Sequence, residues 1–300
     1  MKGTLMAESL LRIAVQKSGR LHKQSLGLLK KCGIQLEVRP NQLVCRAENY
    51  PLELLLVRDD DIPGYIEDGV CDAGIVGQNV FEEYQAPLNG EKNGEILKFL
   101  GFGKCRLSLA VPQGFEYESL NSLNHLRIAT SYPEILKRFA KDHGLEIKAV
   151  EISGSVEVTP AVGVADVICD LVSTGSTLKS NGLKEVATIL ESQAILIKGS
   201  KSSSNLVQET LDRLIQRIDG VLKAQKARYI MMNAPRSSLE AIGELIPGME
   251  DPTVIPLGDD GQKVAIHAVS PEEVFWETME KLKAAGASSI LVVPIEKIIE

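Results

Sequence analysis

The chain has 300 residues with a net charge of −7; 44% are hydrophobic and 24% charged. That length and composition allow two or three domains with ample cores. The negative balance excludes a general nucleic-acid or membrane-surface binder, so polyphosphate ligands must be met locally by Lys/Arg clusters, helix ends or a metal ion. The five cysteines (Cys32, Cys45, Cys71, Cys105 and Cys169) are dispersed and lack C-x-x-C spacing. They predict a reduced, cytoplasmic protein without a zinc site. Arg12 interrupts the N-terminal apolar run, which argues against a signal peptide, and no run nears the ~20 residues of a membrane span.

In chain order, Leu11–Val15 reads as a strand, 16–20 as a polar turn and Leu21–Lys31 as a helix stopped near Gly33. Leu52–Val57 is a second strand, followed by Arg58-Asp59-Asp60-Asp61, a short helix over Ile62–Asp68 and a strand over Ala73–Val76 ending at Gly77. Strand–turn–helix repetition predicts a parallel sheet covered by helices. Residues 85–95 read as a surface loop. A second lobe starts near 104, with strands at Leu107–Val111, Arg127–Thr130, Ile147–Ile152 and Val167–Cys169 and a helix over Pro133–His143. Val186–Ile197 supplies further strand. Two α/β lobes place a ligand cleft at the carboxyl ends of their strands.

Beyond a flexible turn at 199–205, Val207, Leu211, Leu214, Ile215, Ile218 and Leu222 mark one helix face. The remainder has strands at Tyr229–Met232, Thr253–Pro256, Val264–Val269 and Ile290–Val293. One helix over Ser238–Leu245 is stopped by Pro247-Gly248. Another is opened by the Ser270-Pro271-Glu272-Glu273 capping box and stopped at Gly286. This βαββαβ order is the ferredoxin-like pattern.

The most informative segment is 166–178, where an apolar strand ends on Asp170 and runs into Ser173-Thr174-Gly175-Ser176-Thr177. A hydroxyl-rich turn that starts a helix gathers N–H and O–H donors for a phosphate, and a strand-end carboxylate accepts from sugar hydroxyls; together they suggest a ribose phosphate. A plain capped turn is the competing interpretation; no G-x-x-x-x-G-K-[ST] P-loop is present. Lys17 and Arg20 follow the first strand, where phosphate binding or base stacking suits Arg20. The three carboxylates after Arg58 either gather Mg²⁺ waters or cap the next helix, with Asp61 as the cap. Lys104 and Arg106 either face the cleft or dress the hinge. Glu157 either binds a ribose hydroxyl or marks a helix entry. The four histidines show no triad or metal spacing. Any chemistry therefore rests on positioning and electrostatics.

Eight ordered blocks carry a family resemblance: RIAVQKSGR (12–20), VRDDDIPG (57–64), GIVGQNV (74–80), RIATSYPEILKRF (127–139), GSVEV (154–158), ADVICDLVSTGSTL (165–178), ARYIMMNAP (227–235) and FWETMEKLKAAGASSILVVPIEK (275–297). They resemble the ATP phosphoribosyltransferases of histidine biosynthesis in their long form. The resemblance implies an α/β fold: a two-lobed catalytic region like a periplasmic binding protein plus a C-terminal ferredoxin-like (α+β) regulatory domain. The expected division is lobe I at 1–103 with 193–225, lobe II at 104–192 and a regulatory domain at 226–300. The implied reaction joins the adenine ring of ATP to phosphoribosyl pyrophosphate with Mg²⁺ as cofactor, the metal held mainly by substrate phosphates.

By resemblance, phosphoribosyl pyrophosphate engages Glu157, Asp170, Leu171, Val172, Ser173, Thr174, Gly175, Ser176 and Thr177. Lys17, Arg20, Arg58 and Gly77 lie on the ATP and pyrophosphate side, and Asn233, Thr253 and Ala287 in the site for histidine as inhibitor. A homo-oligomer, dimer or hexamer, is also implied, with no nucleic acid or membrane partner. Cys169 stands where the commonest phosphoribosyltransferases have a second acid, so their two-acid ribose clamp does not transfer. A solute-binding module, or a phosphoribosyltransferase for another base, are the competing readings.

Overall fold

The computed structural model describes residues 10–88, 93–201, 204–246, 252–259, 261–271 and 275–299, with the side chains of 275 and 276 excepted. Glu272, Glu273 and Pro247-Gly248 lie outside the described residues. The chain forms two compact units. One holds 1–30 and 34–211, the other 31–33 and 212–300.

The first unit contains two sheets. Strands β1 (Leu11–Gln16), β2 (Val44–Arg46), β3 (Leu52–Val57), β4 (Ala73–Gly77), β5 (Glu95–Phe99) and, much later, β11 (Ala194–Lys198) form one, ordered β2-β3-β1-β4-β11-β5. The other, ordered β10-β6-β9-β7-β8, is built from β6 (Cys105–Pro112), β7 (Arg127–Thr130), β8 (Lys148–Glu151), β9 (Val167–Val172) and β10 (Leu183–Ser192). Each sheet has a parallel trio, β3-β1-β4 or β8-β7-β9, and an antiparallel strand beside it, β11 or β6. The parallel sheet expected from the β–turn–α repetition is therefore mixed. Strands β6 and β11 begin where the chain crosses between sheets, so they arrive running against the trio.

Leu11, Ile13, Ala14 and Val15 are fully buried. A near-continuous apolar strand of this kind fits a sheet covered on both faces. Short elements escaped the sequence reading: β2 is three residues on an edge, and β5 begins at Glu95, inside the expected loop. The strand material expected over 186–197 is divided between two strands, broken at Gln193 where the chain changes sheets.

The two crossings lie side by side. Leu100 N–H donates to Ala194 O (2.9 Å), Ala194 N–H to Phe102 O (2.8 Å), and Gly101 N–H to the Gln193 side chain (3.1 Å). Helices α1 (Gly19–Lys31), α2 (Ile62–Glu67), α3 (Gln78–Gln85), α4 (Pro133–Asp142) and α5 (Ser176–Ser180) follow the parallel strands. Helix α6 (Asn205–Gln225) runs from the first unit into the second. Val207, Leu211, Leu214 and Ile218 of its expected apolar face are buried. Ile215 and Leu222 are half-buried, and Thr210, Val221 and Ala224 are buried as well.

The second unit contains β12 (Ala227–Pro235), α7 (Leu239–Leu245), β13 (Thr253–Leu257), β14 (Lys263–Pro271), α8 (Phe275–Ala284) and β15 (Ser288–Pro294). Its sheet is antiparallel throughout, in the order β13-β14-β12-β15. A βαββαβ chain with that order is ferredoxin-like. Ile230, Met232, Ala234, Val264, Ile266 and Ala268 point from one face of the sheet into a core shared with Ile242 and Leu282 of the helices. The period-two alternation of β12 and β14 leaves the other face open.

Candidate active site

The carboxyl ends of the parallel strands meet at one cavity of about 430 Å³. Gln16 ends β1, Asp59 follows β3, Gly77 ends β4, Tyr132 follows β7, and Leu171 and Ser173 close β9; Arg20, Gln24, Lys104 and Asn79 add to its polar lining. Ligands of open α/β sheets bind at these strand ends.

On β9, adjacent residues point to opposite faces. Cys169 is fully buried in the core with Leu107 and Leu109, and burial pushes its thiol well up despite a bond with Thr130. A carboxylate in its place would face the core and never reach a ligand shared with Asp170. Asp170 lies on the other face, half-buried, and accepts a hydrogen bond from the Leu171 N–H (2.7 Å). Its carboxyl is raised above the usual range by burial, and the nearby charge of Glu157 raises it further. Glu157 sits in a 3₁₀ turn, Val156–Val158, packed on β9. The fold thus brings together two carboxylates that are 13 positions apart in sequence.

The turn after β9 is exposed at Ser173, Thr174, Ser176 and Thr177. Gly175 has φ +77°, a left-handed conformation that a side chain disfavours. Thr174 and Ser176 hydroxyls lie 3.0 Å apart, and the Ser176 N–H points to Thr174 Oγ1 (3.4 Å). The following helix, α5, has only five residues. Its macrodipole is correspondingly slight, so the donors are the hydroxyls and amides of the turn itself. Val172 turns its side chain into the core. Leu171 lines the cavity.

On the facing sheet, Arg20 and Gly77 line the same cavity. A Cβ at Gly77 would lie 2.5 Å from Asn79 Oδ1. Lys17 is separated from them: it lines a neighbouring hollow of about 690 Å³ with His22, Arg39 and Leu43. Arg58 is exposed, beside Asp59. Of the three aspartates only Asp59 lines the cavity. Asp60 has its pKa raised by burial and by its acidic neighbours, and Asp61 at the start of α2 makes no side-chain cap bond. Among the described residues no three His, Cys, Asp or Glu side chains converge as a metal site. Lys104 lines the cavity, whereas Arg106 is tied to Glu185.

Asn79 and Tyr132 are among the lining residues that were not anticipated. Asn79 is 5% exposed; its amide nitrogen donates to the Tyr132 hydroxyl (2.9 Å), and its oxygen accepts from Ser192 Oγ (2.8 Å). This chain of bonds joins the two sheets across the cavity. A polar residue directly after an apolar strand was the available signal for Asn79, since a buried amide requires partners.

In the second unit, Asn233 and Thr253 lie on the open face of the sheet, opposite Ala265 and His267 respectively. Ala287 is 7% exposed and packs in the core beneath. Asn233 and Ala287 are nonetheless neighbours, because Asn233 pairs with Ser288.

A two-lobed α/β unit with a polar cavity at its strand ends defines a ligand-binding α/β protein; Leu171 and Ser173 line that cavity, whereas Asp170, Glu157 and residues 174–177 do not. The family model for ATP phosphoribosyltransferase matches residues 58–220, and that for the HisG C-terminal domain matches 224–297. The chain belongs to the ATP phosphoribosyltransferase family, in its long form, and is a glycosyltransferase of histidine biosynthesis. The structure of the ATP phosphoribosyl transferase (HisG:HisZ) complex from Thermotoga maritima is similar at 27% identity, over 70% of this chain and 96% of that one, with a TM-score of 0.58. The alkanesulfonate-binding protein SsuA from Xanthomonas axonopodis pv. citri, bound to MOPS, aligns at 16% identity over 72% and 74% of the chains, with a TM-score of 0.44. Among the described residues no helix is long and apolar enough to cross a membrane.

Proposed function

We propose that the chain transfers the 5-phosphoribosyl group of phosphoribosyl pyrophosphate to the adenine ring of ATP, giving phosphoribosyl-ATP and pyrophosphate, the first step of histidine biosynthesis. The observation that carries this reading is the hydroxyl turn of 173–177 leaving the strand β9 that carries Asp170, with Glu157 near enough to raise the Asp170 pKa, in a chain of this family. Asp170 and Glu157 accept from the ribose hydroxyls. Ser173, Thr174, Ser176 and Thr177 donate to the 5-phosphate, with Gly175 turning the chain between them. Arg20, Lys17 and Arg58 meet the negative charge of ATP and the departing pyrophosphate, and Gly77 lets a ligand approach the backbone. The attacking ring nitrogen carries no proton, so the displacement needs no general base; these side chains bind, align and neutralise.

Mg²⁺ supplies neutralisation of the pyrophosphate charge when bound. The residues present fit a metal held mainly by substrate oxygens, with Asp59 the carboxylate placed to accept from its waters. In this reading residues 1–103 with 193–225 and residues 104–192 are the catalytic lobes. Residues 226–300 form a regulatory domain through which histidine inhibits, using the Asn233, Thr253 and Ala287 region. The working enzyme is a cytoplasmic homo-oligomer.

The test incubates the full chain with ATP, phosphoribosyl pyrophosphate and Mg²⁺. Formation of phosphoribosyl-ATP, depressed by added histidine, is expected. Consumption of a different base, or binding without turnover, would displace the reading.

A further inference from the structure

Arg106 is not among the residues lining the cavity, yet its guanidinium is held on both sides close to the 173–177 turn. It lies at the start of β6, opposite Val172 on β9 and Glu191 on β10. Its guanidinium forms a forked pair with Glu185, Nε and Nη2 each 2.5 Å from a carboxylate oxygen. Glu185 is fixed in turn: Arg106 first, with Ser108 and Thr188 also bonding, holds its carboxyl below the usual range. With that edge of the planar fork committed, the remaining nitrogen, Nη1, is aimed at the Ser173 carbonyl at 3.4 Å.

The consequence follows from peptide geometry. In a trans peptide the C=O and N–H point in opposite directions. A Ser173 carbonyl turned toward Arg106 therefore turns the Thr174 N–H away from it, to the open side of the turn. We propose that Arg106, clamped by Glu185, is a positioning residue that fixes the 173–174 peptide so that the Thr174 N–H faces the 5-phosphate. This rests on the phosphoribosyl reading of the same turn. Arg106 acts through the loop and touches no substrate atom. Lysine cannot replace it, because an ammonium lacks the fork that both pairs with Glu185 and aims the third nitrogen.

The experiment measures binding of phosphoribosyl pyrophosphate alone by calorimetry, and steady-state KM for both substrates, in the full-length wild type, Arg106→Lys, Arg106→Gln and Glu185→Gln. Losing one oriented donor to a phosphate weakens binding by roughly tenfold. That loss is expected in both Arg106 variants, with a smaller loss of the same sign in Glu185→Gln. The KM for ATP and the melting temperature should hold. Full rescue by Arg106→Lys would show that charge alone matters, and tighter binding by Glu185→Gln would show Arg106 contacting the phosphate directly; either overturns the proposal. So would unchanged binding in all three, or losses that track a falling melting temperature. A wild type that does not bind phosphoribosyl pyrophosphate would instead overturn the phosphoribosyl reading itself.

Discussion

Replacing Glu83 should loosen the join between the two sheets of the first unit. Helix α4 starts with Tyr132 at its cap and Pro133 in its first turn. Of the amides left without helical partners at that end, the Tyr132 N–H donates to Thr130 Oγ1 (2.9 Å), and Pro133 has none to offer. The Leu136 N–H already reaches Tyr132 O (3.1 Å). Only Glu134 and Ile135 remain, and both donate to the Glu83 carboxylate on α3, at 2.8 and 2.9 Å. One side chain from the other lobe thus completes the cap. Loss of a cap costs about 0.5–2 kcal/mol, and an unsatisfied buried donor costs about 1–3 kcal/mol. Two donors to one carboxylate put Glu83→Ala at roughly 2–4 kcal/mol on those scales. A midpoint shift of about 2–4 °C per kcal/mol then predicts a fall of about 4–16 °C. Glu83→Gln keeps one acceptor and should lose about half as much.

Burial raises the Glu83 pKa more than the two amide bonds lower it. Its folded pKa exceeds its unfolded one, so its favourable contribution is complete below the unfolded value and declines as pH rises through the folded one. The stability gap between wild type and Glu83→Gln should therefore be wider near pH 4 than at pH 7. Thermal unfolding at several pH values, with hydrogen exchange at Glu134 and Ile135, tests this. Unchanged melting and unchanged protection of those two amides in Glu83→Ala would refute the cap.

Four further outcomes follow. Asp170 must be ionised to accept ribose hydroxyls, and its pKa is raised by burial and by Glu157. The acid limb of kcat/KM for phosphoribosyl pyrophosphate should therefore lie above the ordinary carboxylate range and move down in Glu157→Gln; a limb that stays put removes Glu157 from the pocket. Thr174→Val with Thr177→Val should raise the KM for phosphoribosyl pyrophosphate about a hundredfold or more by removing two donors, each bond to a charged group contributing about 1.5–3 kcal/mol; an unchanged KM discharges the turn. Cys169→Asp should unfold the chain or force its new carboxyl to stay protonated, since the side chain is fully buried, whereas Cys169→Ser should fold; a soluble, active Cys169→Asp would mean β9 is misread. Gly77→Ala should displace Asn79 from its bond with Tyr132, so its effect on turnover should not add to that of Asn79→Ala; strict additivity in a double-mutant cycle would separate the two positions.

Much of the fold was legible because its strands bury both faces. The runs Leu11–Val15, Leu52–Val57 and Arg127–Thr130 could belong to little else, and the observed elements begin or end within a residue of them. The ferredoxin-like unit was legible for the complementary reason: its strands alternate, with β14 and the stretch of β12 from Ile230 to Ala234 buried at every second residue. Strand direction was not legible. Nothing local in Ala194–Lys198 marks it as a strand that returns to the first sheet and runs antiparallel to β4, because that depends on a crossing after ten residues of β10 in the other sheet. Short edge strands such as Val44–Arg46 bury one side chain only and carry too little pattern to register.

The site divides along the same line. The proposed segment Asp170 to Thr177 could be selected from sequence because one short stretch holds the strand, the acid and the turn. Glu157 depended on family resemblance, since its approach to Asp170 runs through a 3₁₀ turn packed on β9. Asn79 and Tyr132 were unreadable for a stronger reason. Each looks ordinary in its own segment, and each acquires meaning only when the other sheet supplies a partner. Glu83 and Arg106 belong to this group: a glutamate in α3 completes a helix on the facing lobe, and an arginine in β6 orients a peptide two strands from its own counter-ion. Groups that touch substrate tend to be gathered by local sequence, because a phosphate needs several adjacent donors. Groups that hold the cleft in shape are placed by topology, so they come from distant segments and leave no motif. The residues most open to test by substitution are therefore those no spacing rule would select.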